Sequence, residues 1–449
     1  MNDEAGARGG PASRTVGAAS SLVGGLRLPA DKSVAHRALL FNAMAEGEAE
    51  VTVSRPGEDV LSMARVLQTL GAVESIGEGP VGYTRVRLRG GGTRTAAVLP
   101  GAGGETLDCG NAGTAMRLLI GALSGRPATA TLIGDASLSV RPMERVAVPL
   151  RSIGAKVVTE DGHAPIFVEG SRKLSATEHE LPVASAQVIG ALTLAGLAAK
   201  GQTVITSPGP TRDHSERMLA WLGAPVRREG YVTTVEGPAG FAARTIDVPG
   251  DISAAAAWLV AGALHPDAHI VIEEVGLNPS RTGIIDVLRD MGADIRVASD
   301  GPTEWCPEPV GTIVVSGGQP LRAIDLSGDR VADVIDELPL IAMAMAAADG
   351  TSTLSGAREL RVKESDRIAR VVEGLQAVGA QAEEREDGWV VSRGTPREAA
   401  IRTDGDHRIA MSFAVAAATG VAGTVEIDDP ACAAVSYPNF WTDMEHLAS

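Results

Sequence analysis

Aromatic residues are scarce, at 3% of 449 positions, so no core here can rest on large rings. It must be filled by Ala, Val, Leu, Ile and Met, whose small size lets helices pack closely on sheets. Cysteine is rarer still. Cys109, Cys306 and Cys432 are odd in number and far apart, and none stands in a CxxC or Cys/His cluster, which argues against a disulfide framework and a structural zinc site. No HExxH-type spacing supports a catalytic metal either, and a reduced, cytoplasmic protein without metal or cofactor is expected. Long apolar runs are also missing. Ala254 to Leu264 and Leu338 to Ala348, among the longest, fall well short of the roughly 20 residues that span a bilayer. They are expected to be buried helices, and no membrane partner is expected. Basic residues are outnumbered, 40 Lys and Arg against 56 Asp and Glu, for a net charge of −16, which repels nucleic acid and acidic membranes overall. The first twenty residues hold no apolar stretch of the kind that leads a secreted chain, and residues 1–20 are expected to be a flexible tail.

What is present is length, an apolar fraction of 44% sufficient for two or more cores, and a repeat. A polar start leads into an Ala-rich apolar helix, a turn, a short strand, a second helix ending in a Leu-Gly-Ala-like tripeptide, and more strand. First helices begin near Lys32, Asn111, Ser185, Ser253, Asp336 and His407. The tripeptides stand at Leu70-Gly71-Ala72, Ile153-Gly154-Ala155, Leu222-Gly223-Ala224, Met291-Gly292-Ala293 and Val378-Gly379-Ala380, and the sixth unit stops inside its second helix near His446. Their irregular spacing argues against a thin solenoid and for an α/β body with loops of different length. Three copies per lobe is the symmetric division. With crossings at Leu28-Pro29-Ala30 and Val248-Pro249-Gly250, residues 31–249 form one lobe and residues 21–30 plus 250–449 the other.

Most first helices carry polar or cationic residues in their opening turn, where free backbone N–H groups and the helix dipole attract anions. In DKSVAHRALL, Lys32 and Ser33 open a helix and Arg37 follows four residues after Ser33 on the same face. The plainer alternative is a capped surface helix with solvated charges. The segment is not a P-loop, because Leu26 and Asp31 stand where GxxxxGKS needs glycine. In CGNAGTAMRLLIGAL, Gly110 and Gly113 allow close backbone approach, while Asn111, Thr114 and Arg117 lie near the open end; an ordinary packing turn accounts for these as well. Arg141 precedes a proline and is therefore in extended backbone. A guanidinium there suits bidentate capture of a carboxylate or phosphate. Further along come Ser185 and Gln187 in ASAQV, Arg212 in TRDH, Asp336 and Glu337 in VIDELP, Lys363, Glu364 and Arg367 in RVKESDR, and Arg408 in GDHR. Each has a structural alternative: an i,i+3 pair for Glu364 with Arg367, an N-cap for Asp336, and ordinary hydrogen bonding for His36, His214 and His407. Cations recurring at equivalent repeat ends of an acidic chain imply a focused positive cleft.

Together these segments resemble the 5-enolpyruvylshikimate-3-phosphate (EPSP) synthases. DKSVAHRALL, GNAGTAMR, RPMER, SAQV, TRDHSERML, LRVKESDR and DHRIAM match in order from about residue 26 to 447. The resemblance implies an inside-out α/β barrel of six βαβαββ units, three in each of two lobes, closing on phosphoenolpyruvate and shikimate 3-phosphate. It implies that Lys32, Ser33, Arg37, Ser185, Ala186, Gln187, Arg212, Asp336 and Lys363 hold shikimate 3-phosphate. Phosphoenolpyruvate falls to Lys32, Gly113, Arg141, Gln187, Arg367 and Arg408. Asp336 then accepts the hydroxyl proton, and Glu364 and Lys32 handle protons at the methylene carbon and the reacting oxygens. A monomer with no cofactor is expected. In two respects the chain is distinctive. Val435 stands where many relatives carry a lysine, and Gly113 stands where glyphosate-tolerant members of the same branch carry alanine, so inhibition by glyphosate is expected. The nearest alternative is the sister enolpyruvyl transferase acting on UDP-N-acetylglucosamine, which uses a cysteine on a mobile loop. Cys109, just before the Gly-Asn turn, reads instead as packing. An RNA-end-processing enzyme or a noncatalytic anion-binding module on a related repeat is the remaining alternative, disfavoured by the acidic charge and few aromatics.

Overall fold

The computed structural model describes residues 13–79 and 82–448. Its strands form six sheets of one plan. In the second unit, Glu105–Asp108 runs parallel to Thr129–Ile133, which pairs antiparallel with His163–Glu169, which in turn pairs antiparallel with Lys156–Glu160. An apolar helix, Gly113–Ser124, makes the crossover between the parallel strands, and the Glu144–Ser152 helix follows the second strand. This is a βαβαββ unit. Polar and apolar residues alternate along the strands, so that Thr129–Ile133 turns Ala130 and Leu132 inward.

The crossover helices are Lys32–Met44, Gly113–Ser124, Ala186–Gly196, Ile252–Leu264, Leu338–Ala347 and His407–Ala418. Each is buried around nearly its whole circumference; Ile252–Leu264 and Leu338–Ala347 are apolar on all sides, while Lys32–Met44 also buries His36, Arg37 and Asn42, each hydrogen-bonded. Small residues make this possible: a methyl on Gly121 would meet the Ala191 carbonyl oxygen at 2.2 Å. The second helices lie outside and end on the repeated tripeptide because its glycine takes a positive φ, 79° at Gly71 and 109° at Gly292, where an L side chain is strained.

Buried apolar residues fall into two clusters. One runs from Ala30 to Val248, and the other joins Val16 to Leu28 with Ile252 to Leu447. The crossing segments close each ring. Leu22–Arg27 supplies the parallel partner of Ala268–Gly276, and Ile246–Asp247 supplies that of Glu48–Ser54. Where the segments cross they bond each other symmetrically. Asp31 N–H donates to the Pro249 carbonyl at 2.7 Å, and Asp251 N–H to the Pro29 carbonyl at 2.9 Å.

The N-terminus departs from the expected tail. Residues 1–12 lie outside the described residues, but Arg14–Val16 is a strand paired antiparallel with Val425–Ile427. Among the described residues it occupies, beside Val425–Ile427, the position that the antiparallel hairpin strand holds in the other five sheets. Arg14 also stacks on Trp441, 4.5 Å from its ring centroid. Polar composition alone conceals an edge strand whose partner lies at the far end of the chain. Among the described residues, no helix is long and apolar enough to cross a membrane.

Candidate active site

Residues from both cores line a cavity of about 680 Å³: Asp59, Asn111 and Ser137 from one, Glu364, His407 and Val435 from the other. Beside it, three short loops at helix starts bring charges together, with Glu364 and His407 reaching the cavity itself. Arg367 opens the Arg367–Ala377 helix, and its guanidinium is nearly inaccessible, 1% exposed. Its Nε donates to Asp406 Oδ2 at 2.8 Å and its Nη2 to Glu364 Oε2 at 2.6 Å, while Nη1 lies 3.8 Å from Asp336 Oδ1. Asp406 is able to hold it because it also caps the His407–Ala418 helix, accepting from Arg408 N–H at 2.9 Å. Asp336 faces Arg212 Nη2 at 2.7 Å and Lys363 Nζ at 3.9 Å. It is not the cap of the following helix; that position belongs to Glu337.

These contacts fix protonation. Burial would raise the pKa of Asp336, but Arg212, Lys363, Arg408 and Arg367 together hold it well below the usual carboxylate range. Burial is outweighed likewise at Glu364, which Arg367 and its neighbours pull down to about 2. Both carboxylates are therefore ionised at neutral pH. Lys32 is the mirror case. Its burial favours the neutral amine, yet Asp59 at 3.0 Å, with Glu364 beyond, keeps its pKa above the ordinary lysine value. His407, pushed to about 3 by burial and Arg408, is neutral.

In the other core, Arg141 Nη2 donates at 2.7 Å to Oδ1 of Asn111, which lines the cavity. Gln187 Oε1 accepts from Arg117 Nη1 at 2.8 Å, and Gln187 Nε2 donates to Thr114 Oγ1 at 3.0 Å. Gly113 sits under both guanidinium groups, and a Cβ there would meet Arg117 Nη1 at 3.2 Å and Arg141 Nη1 at 3.3 Å. Ser185 is the N-cap of the Ala186–Gly196 helix, so Ser185, Ala186 and Gln187 present that helix start.

The structure thus brings together Lys32, Glu364, Arg367, Arg408, Asp336, Lys363 and Arg212 through direct contact or charge, and gathers Gly113, Arg141 and Gln187 about the Gly113–Ser124 helix start. Arg37 stands apart. Its guanidinium is buried, donating from Nε to Ser215 Oγ at 2.8 Å and from Nη1 to the Ser33 carbonyl at 2.9 Å. Sequence reasoning missed Asp59, Asp406 and the seam between the cores. There Asn278 Nδ2 donates to Asp213 Oδ1 and Glu308 Oε2, both at 2.8 Å, and His214 Nδ1 lies 2.8 Å from Glu308 Oε1. Asp406 directly precedes a helix, an N-cap signal that could have found it. Nothing in sequence spacing marks Glu308.

The model of the EPSP synthase (3-phosphoshikimate 1-carboxyvinyltransferase) family matches residues 16–444. The chain belongs to this family. It is 46% identical over 425 residues to the 3-phosphoshikimate 1-carboxyvinyltransferase of Acidithiobacillus ferrooxidans, covering 94% of each chain. Its fold superposes on the EPSP synthase of Acinetobacter baumannii with a TM-score of 0.84 and 38% identity, covering 96% of this chain and 97% of that one. The enolpyruvyl transferase NikO of Streptomyces tendae shares the fold alone, at TM-score 0.72 and 16% identity over 96% of each chain. The two-lobed, six-unit α/β architecture expected from the repeat is the fold of this EPSP synthase family member.

Membership also bears on the cysteines. All three are buried, and burial pushes the Cys109 thiol up to about 12. A thiol so far from ionisation is no nucleophile or acid at neutral pH, so Cys109 is a packing residue. Among the described residues no group of three or more His, Cys, Asp and Glu could hold a metal ion.

Proposed function

We propose that the chain transfers the carboxyvinyl group of phosphoenolpyruvate to the 5-hydroxyl of shikimate 3-phosphate, in the cleft between a lobe of residues 31–249 and a lobe of residues 21–30 plus 250–449. One observation carries the reading. Two ionised carboxylates, Asp336 and Glu364, flank a single buried guanidinium, Arg367, inside a ring of cations drawn from both cores. A binding module needs the cations; proton transfer needs the carboxylates.

In this reading Arg212 takes the phosphate of shikimate 3-phosphate, with Lys32, Ser33, Ser185, Ala186, Gln187, Asp336 and Lys363 around the ring, while Arg37, bonded to the Ser33 carbonyl, supports Ser33 from behind. Arg141, Arg367, Arg408, Lys32, Gly113 and Gln187 receive phosphoenolpyruvate. Val435 lines the cavity and brings no cation, so these groups supply the positive charge. Asp336 accepts the proton of the 5-hydroxyl as its oxygen bonds to C2 of the enol and C3 gains a proton. The tetrahedral adduct then loses a proton from the new methyl group, and the C2–O bond to phosphate breaks. Lys32, kept protonated by Asp59, and Glu364 handle the protons at C3 and the reacting oxygens. Glu364 starts ionised; an anionic substrate drawing on the charge of Arg367 raises its proton affinity toward that task.

Phosphate release from phosphoenolpyruvate that requires shikimate 3-phosphate tests the assignment. A cytoplasmic monomer is part of the same proposal, supported by buried unpaired cysteines and tested by sedimentation for the monomer and by cell fractionation for the compartment.

A further inference from the structure

The loop before the Gly283–Met291 helix carries a buried cation that the reaction as written does not use. Arg281 is 3% exposed and lies where the two crossing segments meet. Its Nη1 is 3.8 Å from Asp31 Oδ2 and its Nη2 3.5 Å from Asp251 Oδ1. These are the two equivalent N-caps of the first helix in each lobe: Asp31 accepts from Val34 N–H at 2.9 Å, and Asp251 from Ser253 N–H at 2.8 Å. Asn278 sets the loop by accepting from Ser280 N–H at 2.8 Å.

From there a chain of contacts leads to the site. Arg281 Nη2 donates to Ser253 Oγ at 2.5 Å, and Ser253 Oγ donates to Glu337 Oε1. Glu337 is 1% exposed, and the same Oε1 is 3.8 Å from Arg408 Nη1, beyond a direct hydrogen bond. Glu337 Oε2 has no hydrogen-bond partner. A buried carboxylate beside a substrate-binding arginine would ordinarily claim it in a close bidentate pair. Here Ser253 and, behind it, Arg281 engage Oε1 instead, and Arg408 stays beyond hydrogen-bond reach of the carboxylate.

We infer that Arg281 is a positioning residue that neutralises Glu337 through Ser253 and so keeps Arg408 free for phosphoenolpyruvate. The inference rests on the carboxyvinyl-transfer reading. Without Arg281, Glu337 and Asp251 hold uncompensated charge that Arg408 is placed to answer, while Asp31 keeps the Val34 N–H and the charges of His214 and Arg212. The affinity lost is that of one substrate, because Arg212 and Lys363, on the shikimate 3-phosphate side, do not touch Glu337.

Steady-state kinetics on the full chain separate the possibilities. Arg281→Met is expected to raise KM for phosphoenolpyruvate by about tenfold, the scale of one charge-assisted contact, with KM for shikimate 3-phosphate changed by less than about twofold. Arg281→Lys is expected to recover part of the loss. The decisive variant is the double change Arg281→Met with Glu337→Gln, which removes the competing charge and is expected to restore KM for phosphoenolpyruvate; a merely structural arginine would not be rescued this way. Should Arg281→Met not fold, Ser253→Ala interrupts the same relay and is expected to raise the same KM about threefold, a fraction of a charge-assisted bond. Equal rises in both KM values, no rescue in the double variant, or Ser253→Ala without effect overturns the inference while leaving the assigned reaction intact. A wild-type protein inert toward both substrates overturns both.

Discussion

Arg212 and Asp336 belong to different lobes, and a 2.7 Å contact between Nη2 and Oδ2 joins them across the cleft. The residue proposed for the substrate's phosphate thus rests on the carboxylate proposed for its hydroxyl. In the proposed reaction a phosphate arriving at Arg212 is expected to draw the guanidinium away, so that Asp336, relieved of its first cation, gains proton affinity. Asp336→Asn keeps the shape and an acceptor for Arg212 but cannot take a proton. We expect kcat to fall by about 100- to 10,000-fold with a small change in KM for shikimate 3-phosphate. Rapid-quench phosphate release checks this, and a variant retaining most of the wild-type rate would contradict the base role.

Gly113 leaves room that a methyl would fill. At 3.2 and 3.3 Å from Arg117 and Arg141, a Cβ forces one guanidinium to shift by a few tenths of an ångström. Gly113→Ala is expected to raise KM for phosphoenolpyruvate severalfold, with the thermal midpoint little changed. The wild-type chain is expected to be inhibited by glyphosate in competition with phosphoenolpyruvate, and the alanine variant to be less sensitive. Equal inhibition of both would contradict this placement of Gly113.

Two neutral histidines make the fold acid-sensitive early. Burial lowers His407 from 6.5 to about 3 and His36 to about 4. The unfolded chain takes up protons as pH falls through 6.5 while the folded chain does not, so stability is full above that value and lost below it. The expected loss is about 1.4 kcal/mol per pH unit for each histidine until its folded value is reached. The depressed Glu364 adds to the loss only as pH falls from the ordinary carboxylate range toward about 2. Urea midpoints across mildly acidic pH measure this slope, and His407→Gln is expected to flatten it.

The amino-terminal strand is a stability element. Deleting residues 1–17 removes the pairing of Arg14–Val16 with Val425–Ile427 and the contact of Arg14 with Trp441. The thermal midpoint is expected to drop by a few degrees, about the effect of losing 1–2 kcal/mol in a chain of this size. Arg14→Ala, which keeps the strand pairing and loses only the contact with Trp441, is expected to lower it by less, and calorimetry on the two variants tests the distinction.

Much of this was legible in the sequence because the repeat declares itself locally. A Leu-Gly-Ala-like tripeptide marks a helix end through the conformation its glycine must adopt, and Lys32, Ser185 and His407 stand within a residue of the helix starts expected for them. The partners were harder. Lys32 meets Asp59 and Arg367 meets Asp406 across different elements, and Glu308 reaches His214 from the other lobe. Such pairings depend on packing, which no periodicity encodes. The strand at Arg14–Val16 was missed for the same reason, since its partner lies at the opposite end of the chain. Arg37 illustrates the reverse: helix spacing placed it beside Ser33 correctly, but the packing turns its guanidinium toward Ser215.

The most direct measurement is phosphate release from phosphoenolpyruvate by purified protein, with shikimate 3-phosphate and UDP-N-acetylglucosamine offered as parallel acceptors. Release is expected with shikimate 3-phosphate alone, accompanied by its carboxyvinyl ether. Release with only the nucleotide sugar, or with neither, would contradict the proposed reaction.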